Sequence, residues 1–553
     1  MPYDTQRHIF EGLTRWNYLP NQKAPVGEVP PSISSRQFTP EVAKELATLE
    51  DSRDRKKWRW DDVSYSMTRY DNVPRQLALM HPLPYARLAV LMSTHWNELG
   101  GLANSENSAI KPEQHDDGRI LIMNYEDALT KTNLALEASF GKRFRVETDI
   151  AGCFTSIYSH SIPWAVVGFE AEKARDRNNG PFHWSNKLDF YQRLGRRGET
   201  VGLAIGPATS SIIVEIILGR VDEKMREAGY AYRRYIDDYI CYCDTHEKAQ
   251  TFLALLGEYL SEYRLHLNLQ KTTIVELPDP LSEPWVTTLG TALESRLGRD
   301  ADGRALLRTA DATQYLDFAT RLNRDTRDGS VLKYAVGSML PHLDQTALGN
   351  LAPYLINLCW HYPALLPYLQ KLCDAEHELL AAFADELNAI IIENARHRRS
   401  DGMAWPLHFM LRTGMQPTEN TATAVLNSRD CVACTLLFEI RRDDPQLLAF
   451  GRSLLEQGYH ERDKYWLLLY QMARHAVLEV HDDEPSFGIL LKHRVNFIPQ
   501  DERKTQAEMY CTYLENHFME DRQRELSLEE WTAAEGQAVG NGQREGADDP
   551  FGA

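Results

Sequence analysis

The chain has 553 residues, too many for one hydrophobic core, so length alone suggests three or four domains. With 43% hydrophobic and 25% charged residues, its composition is ordinarily globular. A formal net charge of −18 argues against a protein whose whole surface coats nucleic acid, but leaves room for a locally positive cleft inside an acidic exterior.

Residues 1–19 carry a short amphipathic pattern (Ile9, Phe10, Leu13, Trp16, Leu19). Prolines at 20, 25, 30, 31 and 40 then forbid a helix or central strand, so 20–40 reads as an extended arm laid across something larger. Helical spacing resumes over Pro40–Leu49. Between Arg53 and Trp60 five basic residues alternate with two tryptophans, which fits a nucleic-acid path or, equally, a solvated helix face with core-facing tryptophans. Arg69 and Arg75 flank a polar turn, and Pro82–Trp96 has the inner stripe of a helix.

Arg145–Ile150 alternates like a strand, ends on Asp149 and is followed by Phe154. Residues 165–200 form a basic insert with Arg175, Arg177, Lys187, Arg193, Arg196 and Arg197, among which lie Trp184 and Tyr191; it faces a duplex or is ordinary surface. Gly202–Pro207 gives a turn, and Thr209 or Ser210 can cap the helix that carries Ile212, Ile213, Ile216, Ile217 and Val221. Tyr235-Ile236-Asp237-Asp238 sits between Tyr-, Ile- and Cys-rich runs, as the turn of a hairpin does. Thr245 can cap the next helix, and Leu265–Thr272 reads as another alternating strand ending at Lys271. From Asp311 to about Met519 the pattern is helical, with segments at 311–323, 331–343, 348–372, 375–397, 444–457 and 462–477, an irregular α-solenoid or a helical bundle. The tail after Trp531 is Gly-, Gln-, Ala- and Asp-rich and is expected to be disordered.

Eight cysteines show no regular framework; Cys431 and Cys434 stand alone at metal spacing and read as two buried thiols on a helix. Most cysteines lie in apolar runs, as in a reducing compartment. No run of about 18 or more apolar residues occurs, and the opening lacks a charged-then-apolar signal, so the expectation is a soluble, cytoplasmic protein without membrane contact.

Adjacent carboxylates repel and lose hydration at a strand junction, so Asp237 and Asp238 call for a compensating partner, most economically a divalent cation. With Asp149 and Lys271 at neighbouring strand ends, the set makes a site for two Mg²⁺ ions and a phosphate.

Taken in order, Asp149 with Phe154, Gly202–Pro207, Tyr235–Asp238, Leu267–Thr272 and Thr288-Leu289-Gly290 resemble the successive palm motifs of reverse transcriptases. The wording Phe154–Trp164, and Ile205–Ser210 where many relatives carry a Gln-Gly pair, is similar to the bacterial abortive-infection and defence-associated reverse transcriptases, which also lack that Gln. The resemblance implies an α+β right-hand polymerase core (fingers and palm) followed by an all-α, HEAT-like or solenoid C-terminal domain. It implies an N-terminal arm and helix over 1–60, fingers and palm over 61–300, helical repeats over 301–531 and a tail over 532–553. The implied function is RNA-directed or template-independent DNA polymerisation in phage defence; the alternative is a catalytically silent α-solenoid scaffold or sensor. Implied roles are Asp149, Asp237, Asp238 and Lys271 in catalysis, with Asp149, Ile150, Asp237 and Asp238 around two Mg²⁺ ions. Phe154, Gly206 and Arg69 or Arg75 would hold the nucleotide, Phe154 by clashing with a ribose 2′-hydroxyl unless it is simply core. Tyr235, Leu289, Gly290, Arg196 and Arg197 would meet primer and template. Lys271 would protonate pyrophosphate, or serve only as a structural ion pair. Implied partners are dNTPs, RNA or DNA, a dedicated non-coding RNA in some members, and further copies of the chain through the helical domain.

Overall fold

The computed structural model describes residues 5–20, 27–69, 72–115, 117–123, 128–174, 183–300, 302–326, 330–375, 377–479 and 484–499. The expected disorder after Trp531, the basic residues Arg175 and Arg177, Pro25 and Cys511 lie outside them.

Two strands, β1 (Val63–Thr68) and β2 (Pro74–Leu79), pair antiparallel as a fingers hairpin. Strands β3 (Phe144–Asp149), β4 (Tyr232–Tyr235), β5 (Asp238–Cys243) and β6 (Thr273–Glu276) form an antiparallel sheet in the order β4-β5-β3-β6. Alternation decides its buried face: Tyr239, Cys241 and Cys243 of β5 and Val146 of β3 point into the core. The helix Ala208–Glu227 and the helix His246–Glu262, with Phe252, Leu256 and Leu260 inward, pack with that sheet. Thr245 caps the latter, its side chain accepting from the Lys248 amide.

Some expectations fail for local reasons. Neither Thr209 nor Ser210 caps the Ala208–Glu227 helix; both are buried within its first turn, and Pro207 holds the cap position. Leu265–Thr272 is no strand: only Leu267 bridges to Ile150, because Asn268 closes a turn by accepting from the Gln270 amide through its side chain and from the Lys271 amide through its carbonyl. The basic run at 53–60 is largely a solvated face, with Arg53, Lys56 and Lys57 exposed, but Arg55 (3% exposed) is buried and only one of the two tryptophans, Trp60 (1%), faces the core while Trp58 is open.

After residue 300 the described residues are helical apart from the short strand Ala305–Leu306, which pairs with Gly298–Arg299. The helices run from 5 to 17 residues and pack unevenly, and several expected long helices break, as at Tyr362 and Lys464. They do not stand apart from the sheet. Ser400–Thr413 packs on β1, and Arg55 donates to both oxygens of Asp463 at 2.8 Å and pairs with Glu484. The Trp466 indole donates to the Leu79 carbonyl, the Ser34 amide to the Phe497 carbonyl, and Lys492 and His493 pair with Glu45. Most buried apolar residues form one continuous cluster from Ile9 to Ile498, and Trp60, Leu83 and Leu194 form a small second one. The seven described cysteines are buried, Cys431 and Cys434 on one helix as expected. Among the described residues, no helix is long and apolar enough to cross a membrane.

Candidate active site

The register of the sheet sets Asp149, the last residue of β3, directly opposite Asp238, the first of β5. Asp237 joins them from the β4–β5 turn, where its carbonyl accepts from the Ile150 amide at 3.2 Å. That turn needs Ile236 at φ 59°, a conformation a β-branched residue adopts only under constraint. The constraint is Arg234, fully buried, which donates to the Ile236 carbonyl at 2.8 Å while pairing with Glu215 at 2.9 Å and Asp222 at 2.7 Å. Tyr232 adds a 2.6 Å hydrogen bond to Asp222. This network is absent from the sequence expectations; its signal was Glu215 standing alone in the run Ile212–Leu218, where an acid survives only with a buried partner.

Asp149 is 6% exposed and its two oxygens differ. Oδ2 accepts from Lys271 Nζ at 2.5 Å; Oδ1 is buried without a hydrogen-bond partner. Leaving a buried carboxylate oxygen unbonded costs free energy, and a cation is a partner that fits an oxygen whose residue shares a cleft with two more carboxylates. Burial, then Asp238, raises the Asp237 carboxyl to about 6, with Asp149 adding to the shift; burial also raises Asp238. Hydrogen bonding to Asp149 raises Lys271, keeping it a cation. Carboxylate oxygens sharing one cleft are the donor chemistry that suits a hard divalent ion such as Mg²⁺, although the three do not offer ligand atoms that all lie within 4.8 Å of one another.

These groups open into a cleft of about 800 Å³ that is also lined by Phe154, Ile150, Tyr235, Arg69 and Arg75. Phe154 follows Gly152 (φ 55°) on the short helix Cys153–Ser156, and its carbonyl accepts from the Leu203 amide. Arg75 lies near enough to lower the Asp237 carboxyl electrostatically.

The other expected contacts lie elsewhere. Gly206 (φ 131°) is not in the cleft lining; a Cβ there would come within 2.6 Å of Pro20, so the glycine admits the N-terminal arm rather than a nucleotide. Leu289 is fully buried on the helix Pro284–Glu294 and cannot touch a primer, and Gly290 on the same helix does not line the cleft. Arg197 pairs with Asp61 and donates its amide to the Trp60 carbonyl; neither it nor Arg196 lines the cleft.

Residues 112–316 match the family described as reverse transcriptase (RNA-dependent DNA polymerase). The chain thus carries a reverse-transcriptase domain, which is a nucleotidyltransferase domain, within a larger α+β and helical fold. No curated protein matches the sequence. Among solved structures, the chain is similar to apo telomerase from Candida tropicalis truncated from its C-terminal domain (13% identity, 44% of this chain and 57% of that one, TM-score 0.27). Two others are telomerase from Candida albicans (10% identity, 76% and 68%, TM-score 0.28) and from Candida tropicalis (9%, 83% and 68%, TM-score 0.30), each in complex with the TWJ fragment of telomeric RNA. The chain spans 57% of the length of the first of these, and likenesses this weak carry no argument about function.

Proposed function

We propose that this chain is an RNA-directed DNA polymerase that extends a primer with deoxynucleotides by two-Mg²⁺ nucleotidyl transfer. One observation carries the reading: three carboxylates from distant parts of the chain meet in one cleft, one of them with a buried, unbonded oxygen, inside a segment matching reverse transcriptases. Bound there, the metal ions would hold the attacking and leaving oxygens and neutralise the developing charge. Asp149 and Asp237, with Asp238 and the Ile150 carbonyl beside them, would hold the ions. Lys271 fixes the second oxygen of Asp149 and is an ammonium available to the departing pyrophosphate. Arg75, which acts on Asp237, is a stronger candidate for the triphosphate than Arg69, and the Phe154 ring borders the sugar.

The full-length protein, incubated with Mg²⁺, labelled dNTPs and a DNA primer on an RNA template, is expected to incorporate label, and Asp237→Ala to lose at least about 100-fold. Equal signals would reduce the palm to a scaffold and end the polymerase reading. A reaction without template separates templated from template-independent synthesis.

The motif wording at Phe154–Trp164 supports a role in phage defence in the cytoplasm, with a companion RNA and self-association through the helices as further parts of that reading. Cells expressing the protein are expected to resist infection and cells expressing Asp237→Ala to be sensitive. Identical plaque counts would remove the defence role and leave the polymerase standing.

A further inference from the structure

The cleft is not closed by the sheet and the fingers hairpin alone. Ser330, Lys333, Tyr368, Asp401 and Trp405, all from the C-terminal helices, line the same space as Asp149, Asp237 and Asp238. A buried joint sets where that wall stands. Asp401, 3% exposed, accepts from the Thr68 amide at 2.7 Å, from the Thr68 hydroxyl at 2.8 Å and from the Gly402 amide at 2.8 Å. Ser400 adds a second stitch, its hydroxyl accepting from the Ser66 amide at 2.7 Å. Thr68 directly precedes Arg69, so the joint registers the helical wall against the fingers within one residue of a cation that lines the cleft.

Lys333 is half-buried on the helix Val331–Met339, which is anchored by Val331, Leu332, Ala335, Val336 and Met339. Lys333, Asp401 and Arg69 line the same cleft, and while burial raises the Asp401 carboxyl, Lys333 is among the groups that offset the rise. Asp149, Asp237 and Asp238 stand on the palm with Lys271 paired to Asp149, Glu28 and Asp401 line the cleft elsewhere, and Arg69, Arg75 and Lys333 are the other cations among the described lining residues. A nucleotide entering with Mg²⁺ brings several phosphate charges, and they need cations on the side away from the carboxylates.

We propose that Lys333 binds the triphosphate of the incoming nucleotide, so that the helical region completes the nucleotide site of the polymerase. This rests on the polymerase reading above. An ammonium serves phosphate as a point charge that several rotamers can deliver, and a helix packed on the fingers gives it a fixed base. A strand phosphate of primer or template presents the same oxygens, and the two sources separate by experiment.

The test uses the full chain as wild type, Lys333→Ala, Lys333→Arg and Asp237→Ala, with unchanged thermal unfolding required of each variant. Lys333→Ala is expected to raise KM for dNTP about 10-fold or more, to change kcat less and to leave primer–template affinity unaltered; Lys333→Arg recovers part of the loss. Weaker primer–template binding with an unchanged dNTP KM would overturn the triphosphate assignment in favour of a strand phosphate. No change in either would overturn any substrate role for Lys333. Should wild type and Asp237→Ala incorporate equally little, the polymerase reading fails on its own. Anisotropy of a fluorescent dNTP with Mg²⁺ then decides the lysine separately: weaker binding to Lys333→Ala supports it, equal binding overturns it.

Discussion

At the scale of single residues, the site turns on the inequality between the two oxygens of Asp149. Lys271 holds one and nothing in the described protein holds the other, so the carboxylate is oriented yet incomplete. Phe154 is 6% exposed and both borders the cleft and packs into the core, so its two sequence readings are not exclusive. Phe154→Ala is expected to lower the preference for dNTP over rNTP by about 10- to 100-fold, read as the ratio of the two kcat/KM values. An unchanged ratio would confine the ring to packing. The acidic residues were legible in the sequence because a pair of adjacent carboxylates is costly wherever it stands. Contacts for Leu289 and Gly290 were not: they were expected from motif order, and those of Arg196 and Arg197 from a basic run, and neither signal says whether a side chain faces a cleft, a core or open surface.

At the scale of elements, the β4–β5 hairpin is shaped by what lies under it. Arg234, Glu215 and Asp222 form a buried ion cluster that bonds the strained turn through the Ile236 carbonyl. Removing the cation strands two carboxylates in the core, so Arg234→Met is expected to cost about 3–5 kcal/mol, seen as an earlier transition in chemical denaturation. Replacing Arg234, Glu215 and Asp222 together by apolar residues of similar size is expected to recover most of that stability without recovering activity, because the turn loses its tether. If Arg234→Met unfolds like wild type, the cluster does not support the hairpin. Alternation found β3 and β5, since each has one buried face. It misread Leu265–Thr272 because Asn268 offers the backbone a turn that competes with strand pairing, and a period-two pattern does not register that competition.

At the scale of the molecule, the first hundred residues and the last described ones share one core. Their meeting point is the cluster of Arg55, Asp463, Glu484 and His81. The imidazole of His81 is buried and held down to about 4, from an ordinary 6.5, chiefly by desolvation, and Arg55 lowers it further against the pull of Glu484. A base whose folded pKa is depressed favours the fold above its unfolded pKa, and that contribution is lost as pH falls from about 6.5 through 4. It is worth up to about 3 kcal/mol. Asp463 in the same cluster, raised to about 7 chiefly by burial, acts with the opposite sign, so the contribution of His81 is read as the difference: across that window the unfolding temperature of wild type is expected to fall relative to that of His81→Gln, which takes up no proton. Parallel curves would clear His81 of any part in acid sensitivity. Sequence periodicity recovered most of the helices but not this closure, since a salt bridge between Arg55 and Asp463 leaves no local pattern at either end.

Closure of that kind bears on how the protein comes off the ribosome. The segment around Ser34 and Glu45 finds its final neighbours only when the stretch from Lys492 to Phe497 has been synthesised, so it must wait for the palm and the helical region that separate the two in the chain. The wall that carries Lys333 and Asp401 likewise arrives after the palm. A nascent chain can therefore present the three acidic groups of the palm before the wall that closes their cleft has folded.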